Sequence, residues 1–152
     1  MEEQALRVAF GDGKPVKKTA ELSDAERRAA QELGKVKVER TDWTYYVGKS
    51  SAGAARYAYL ETHVVRTMPE TFMAVIDGDR LAFVELLAFH EPDDYRPPTR
   101  WLKQFDGKGL DGELFVRRGV RNIAGASLTS LALTDGIRRT LAVHSVLRKR
   151  SP

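Results

Sequence analysis

The sequence predicts an α+β domain: a largely antiparallel sheet with a central hairpin, flanked by an N-terminal helix, a short helix and a long C-terminal helix. Three observations carry this. "TFMAVIDGDRLAFVELLAF", residues 71–89, sets two β-rich apolar runs on either side of Asp77-Gly78, a strong signal for a tight hairpin. "LSDAERRAAQELG" offers Ser23 as an N-cap with Glu26 three residues on, a capping box, and Gly34 as the stop. Leu133, Ile137 and Leu141 recur every fourth position, which gives a helix one buried stripe.

The elements follow in order along a chain read as one domain, 1–152. Residues 1–20, with "GDGKPVKK", read as a loosely ordered lead-in. After the capped helix, Val36 to Val47 is rich in β-branched and aromatic residues and predicts a strand. "GKSSAG", 48–53, reads as a turn, "ARYAYLETHVV" as a second long strand, and Pro69 as its interruption. The two runs of the hairpin are nearly continuous in apolar character, so it is expected to be central and covered on both faces. "HEPDDYRPPTRW" is a loop stiffened by Pro92, Pro97 and Pro98, and "TRWLKQFDG" a short helix with Trp101 and Phe105 on one face. The last helix spans Leu128 to Leu147. Gly136 inside it costs roughly 1 kcal/mol relative to alanine, which points to close backbone packing against the sheet. "RKRSP", 148–152, reads as a frayed basic tail.

Composition narrows the chemistry. A chain of 152 residues buries roughly two thirds of its unfolded surface as one domain. The absence of cysteine excludes disulfides, thiolate zinc, iron–sulfur clusters and cysteine nucleophiles, so redox chemistry would need an organic cofactor. No apolar run reaches the length of a membrane span. "MEEQALRVAF" lacks the apolar core of a signal peptide, which fits a cytoplasmic protein and equally a secreted one whose leader a start methionine has replaced. The net charge of +4 conceals an asymmetry: residues 1–116 carry 17 Lys/Arg against 20 Asp/Glu, residues 117–152 carry 8 against 1. A basic final quarter invites an anionic partner. It contains no aromatic residue, so a nucleic-acid interface is not expected.

"NIAGASLTSLALTDGIRR", 122–139, places Gly125, Ala126, Ser127, Thr129 and Ser130 where the last helix begins, with Arg117, Arg118, Arg121, Arg138 and Arg139 around them. Small hydroxylated residues cap helices, and that is one reading. The other is an anion site, because a helix start presents unpaired N–H groups and the positive end of its dipole.

The segment "AGASLTSLALTDGIRR" resembles the flavin-attachment segment of FMN-binding domains, as in the C subunit of the sodium-pumping NADH:quinone reductase and the G subunit of Rnf complexes. "YAYLETHVVRTMPETFMAVIDGDRLAFVELLAFHEPDDYRPPTRWLKQFDGKGL" resembles the family's central portion, and "LSDAERRAAQEL" and "TYYVGK" its first helix and strand. The likeness runs over roughly residues 15–147 and is greatest to short standalone members. It implies an electron-transfer flavoprotein carrying FMN through a phosphoester at Ser127. Gly125, Ala126, Leu128 and Thr129 would wrap the phosphate, with Ala124 just before them. Glu91 and Pro92 would lie near the isoalloxazine, with Tyr95 or Trp101 packed by the ring. It also implies a flavin transferase for loading, redox partners such as a cytochrome, a quinone reductase or another flavoprotein, and a periplasmic or otherwise extracytoplasmic location. Two positions depart from the family motif: Ala124 replaces its Ser or Thr, and Arg121 stands where its Asp stands. Arg121 suits the phosphate of a non-covalently held FMN, which is the alternative reading. A domain without flavin, interacting through its basic C-terminal region, is a further one. His63, His90 and His144 have no metal-ligand spacing and read as structural. Glu91, Asp93 and Asp94 supply three carboxylates that could suggest an acid–base pair, but the two aspartates read as a solvated loop. Tyr45 and Tyr46 read as strand packing, while Trp101 and Phe105 fit the core as well as a ring contact.

Overall fold

A computed structural model describes residues 2–65 and 67–150. Five strands run as an antiparallel meander in the order β1-β2-β3-β4-β5: Val16–Glu21, Asp42–Lys49, Ala55–Val64, Pro69–Asp77 and Arg80–Phe89. Each strand pairs with its sequence neighbour, from Val16 opposite Val47 to Asp77 opposite Arg80. Four α-helices cover the sheet: α1 Glu2–Phe10, α2 Asp24–Gly34, α3 Thr99–Lys103 and α4 Ser127–Arg148.

Side chains alternate across a strand, so each face of the sheet collects its own core. One face carries Tyr46, Ala58, Met73 and Val75 and is covered by Ala5, Ala9 and Phe10 of α1. The approach is so close that a Cβ on Gly48 would stand 2.6 Å from the Phe10 ring. The other face carries Trp43, Tyr59, Phe72, Ala74 and Ile76 and is covered by α4, with α2 packed beside it. The stripe Leu133, Ile137 and Leu141 is buried as its spacing predicts. At Gly136 an added Cβ would meet His63 Nδ1 and the Phe72 ring at 3.0 Å, so the glycine is where helix and sheet touch.

The hairpin turns at Gly78, with φ +64°. Its first strand, β4, is enclosed on both sides and both faces, whereas β5 forms the end of the sheet. The edge is blunted by the loop after α3, where Leu81 N–H donates to Lys108 O and Gly107 N–H to Leu81 O, each at 2.8 Å.

Four stretches differ from the sequence reading. The expected lead-in, 1–20, contains α1 and β1. β1 is almost wholly exposed and Lys-rich, and pairing with β2 rather than its own apolar pattern makes it a strand. Residues 36–41 are not part of β2, because Val38 N–H donates to Gln31 Oε1 and Val38 O accepts from Arg27, so α2 side chains satisfy its backbone instead of a neighbouring strand. Pro69 begins β4, a position that needs no ladder donor, rather than interrupting a strand. The tail is held as far as Arg150, whose guanidinium donates to Glu26 and to Glu21 O; residues 151–152 lie outside the described residues.

Candidate functional site

The N-terminus of α4 is built by a loop that folds back on the helix it introduces. Helix α3 grips the start of that loop from two sides: Trp101 Nε1–H donates to Arg121 O at 2.5 Å, and Gln104 Oε1 accepts from Arg121 N–H at 2.8 Å. With its backbone fixed, Arg121 keeps an exposed side chain. Ile123 N–H then donates to Ser130 Oγ at 2.8 Å, and Ala126 N–H to Ile123 O at 2.9 Å. Gly125 stands between them at φ +79°, a conformation that favours glycine.

Ala126 occupies the N-cap position and has no side chain to offer the helix. Ser127, the first helical residue, is half-buried, and its Oγ accepts from Asn122 Nδ2 at 3.1 Å. Thr129, one turn in, is buried, and its Oγ1 has no hydrogen-bond partner; neither has Asn122 Oδ1. Such groups are costly when left unmatched and are exceptions in folded proteins. Ala124, Gly125 and Leu128 are exposed around them.

Beside this helix start lies a depression of about 460 Å³, lined by Pro98, Arg100, Trp101, Arg121, Asn122 and Ala124 among others. Trp101 serves both sequence readings: it is buried and stacks edge-on with Phe105 at 5.2 Å, yet forms part of the depression wall. Phe105 is wholly core. Of the sequence-derived site residues, Arg121, Ala124 and Trp101 meet at this depression, and Gly125, Ala126, Ser127, Leu128 and Thr129 continue from it into α4.

The loop after β5 has another task. Glu91 is buried and its Oε1 accepts from the N–H groups of Thr67 and Met68, at 2.9 and 3.1 Å, so it holds the turn between β3 and β4. Pro92 precedes a single 3-10 turn, Asp93–Tyr95. None of Glu91, Pro92 and Tyr95 is in the wall of the depression. They share its end of the molecule, because α4 runs antiparallel to β3: Arg148 bonds Tyr57, His144 bonds Tyr59, and Gly136 abuts His63.

The basic ring expected around the motif is smaller than its sequence suggests. Arg138 is buried, bonding Gly34 O, Leu114 O and Asp135, and Arg139 donates to Lys37 O. Arg118 donates to Gly112 O and lies over the Phe115 ring. Arg121 lines the depression with Arg100, a residue the sequence motif did not single out. Asn122, which orients Ser127, was equally hidden; only its place five residues before a helix-start serine could have marked it.

No family model matches the chain, and neither a curated protein nor a solved structure matches it. No group of three or more His, Cys, Asp or Glu that could hold a metal occurs among the described residues. His63 pairs with buried Glu70, and His144 lies between Tyr59 and Gly78 O. No helix among the described residues is long and apolar enough to cross a membrane.

Proposed function

We propose that this protein is an FMN-carrying electron-transfer domain whose flavin phosphate sits at the N-terminus of α4 and is bonded to Ser127. The observation that carries the reading is the uncapped first turn of α4, with a glycine before it, a serine hydroxyl at its first position and the buried, unmatched Thr129 Oγ1. An anion there would meet the free N–H groups of the first turn and the positive end of the helix dipole. The resemblance of "AGASLTSLALTDGIRR" and "HEPDDYRPPTRWLKQFDG" to FMN-binding domains supports the same assignment.

The flavin, when bound, supplies one- and two-electron transfer. The chain's part is to hold and orient it. The Ser127 hydroxyl provides the oxygen of the phosphoester, and Asn122 Nδ2–H, donating to that oxygen, fixes where it points. Arg121 and Arg100 place positive charge by the phosphate and ring, and the indole wall of Trp101 offers an apolar surface. An open depression suits a carrier that meets other redox proteins, such as a cytochrome, a quinone reductase or another flavoprotein, in an extracytoplasmic compartment. Arg121 also favours a second reading, FMN held non-covalently, since a guanidinium at the depression can pair with a free phosphate. A nucleic-acid role for the basic quarter loses support because Arg118, Arg138, Arg139, Arg148 and Arg150 are engaged within the protein.

The test is an intact mass and a visible spectrum of denatured protein after co-expression with a flavin transferase. A gain of one FMN less water, absent in Ser127→Ala, is the expected result. Yellow protein with an unmodified mass would establish the non-covalent reading. Colourless, unmodified protein that also ignores added FMN would overturn both.

A further inference from the structure

The core-facing side of β3 carries Tyr57, Tyr59, Glu61 and His63, where a buried strand ordinarily presents aliphatic residues. Far from the α4 N-terminus, the first two belong to an aromatic cluster with Trp43, Tyr45 and His144. Tyr45 stacks on Tyr59 at 5.2 Å, Trp43 meets Tyr59 edge-on at 6.5 Å, and Tyr57 meets His144 edge-on at 4.8 Å. Tyr59 and His144 are fully buried, and Tyr59 OH lies 3.0 Å from His144 Nδ1.

The direction of that bond follows from the other ring nitrogen. His144 Nε2 is 2.9 Å from Gly78 O, a carbonyl that can only accept, so Nε2 carries the hydrogen. Burial pushes the imidazole toward its neutral form, which leaves Nδ1 bare. Tyr59 O–H therefore donates to an unprotonated base. Its neighbours are arranged the opposite way. Tyr45 and Tyr57 hydroxyls both accept from the Arg148 guanidinium, at 3.2 and 2.8 Å, and Arg40 lies 4.0 Å above the Trp43 ring. Positive charge beside a ring opposes removal of an electron from it, whereas a base on the phenol assists it.

We propose that Tyr59, with His144 as its proton acceptor, is a one-electron redox site that takes the oxidising equivalent from a high-potential radical oxidant, such as one derived from peroxide. The oxidant gains one electron and Tyr59 loses it. The phenolic O–H bond breaks, and its proton crosses the 3.0 Å hydrogen bond to Nδ1. The products are a neutral phenoxyl radical and an imidazolium that keeps its Nε2–H on Gly78 O. Reduction by one electron returns the proton and resets the pair. Tyr57, Arg148 and His144 itself border an open depression of about 570 Å³, which brings the surface to the edge of the pair. Tyr46, on the opposite face of the sheet, is the rival site, because its hydroxyl faces the Glu2 carboxylate.

The test is flash oxidation of the full-length protein by a photo-excited ruthenium polypyridyl complex with a cobalt(III) quencher, read by transient absorbance and electron paramagnetic resonance. The expected result is a long-lived neutral tyrosyl radical that is lost in Tyr59→Phe and retained in Tyr46→Phe and Tyr45→Phe. Its formation should slow in deuterated water, and that isotope effect should vanish in His144→Gln. A radical that survives Tyr59→Phe with unchanged yield and lifetime, or is lost in Tyr46→Phe instead, would overturn the assignment. So would a wild-type radical formed at the same rate in both waters, a result that requires no variant to fold. The readout belongs to the side chains and is the same whether or not the protein carries flavin.

Discussion

At the start of α2 the Ser23 hydroxyl accepts from Glu26 N–H while the Glu26 carboxylate accepts from Ser23 N–H; at the start of α4 the same position is Ala126, which offers neither bond. The first arrangement is closed further by Arg150, which donates twice to Glu26. The second keeps its N–H groups, a glycine approach and a buried hydroxyl unmatched. Both helices are long enough to need their ends satisfied; at α2 the chain supplies the cap itself, at α4 it supplies none, and the proposed flavin phosphate would take that place.

The largest expected effect separates the two ends outright. Ser127→Ala should abolish flavin attachment in the mass spectrum, while Ser23→Ala should leave it unchanged. Next comes a reversal of sign. Thr129→Val removes an unmatched buried hydroxyl at nearly constant volume and should stabilise the flavin-free protein by about 1 kcal/mol in a denaturant titration. The same variant should retain less FMN. Ser23→Ala should instead destabilise by about 1 kcal/mol, because it breaks a cap already in use. If Thr129→Val were as destabilising as Ser23→Ala, the α4 end would be satisfied internally and the contrast would fail.

The smallest effect concerns acid. Arg150 first, then the Ser23 N–H, hold the Glu26 carboxyl at about 2. Its folded value lies below its unfolded one, so its contribution is complete above the ordinary carboxylate range. It is lost as pH falls from about 4.5 toward 2. Glu26→Gln should flatten that part of the stability profile, measured by thermal unfolding at stepped pH. Solvent around the exposed Arg150 partner screens the pair and keeps the change small.

What could be read in the sequence was local. The capping box, the Asp77-Gly78 turn and the α4 stripe each depend on residues a few positions apart. α1 and β1 escaped because their stability comes from distant partners: Phe10 against Gly48, and an exposed strand registered on β2. The candidate site divides the same way. Ser127 and Gly125 stand out in a motif, but Asn122 matters through one side-chain bond, and the Arg121 backbone through a clamp from Trp101 and Gln104, seventeen to twenty residues earlier. The arginines mislead for the opposite reason: charge is visible in a sequence, but its engagement with carbonyls across the fold is not.

One continuous helix also sets a length scale. His144 lies seventeen residues beyond Ser127 on α4, which at the rise of an α-helix is roughly 26 Å. A flavin phosphate held at one end and an oxidisable phenol at the other would therefore be kept apart by a rigid rod. Within a chain this small, α4 would work as an insulating spacer, letting an electron-accepting and an electron-donating centre exist without short-circuiting each other.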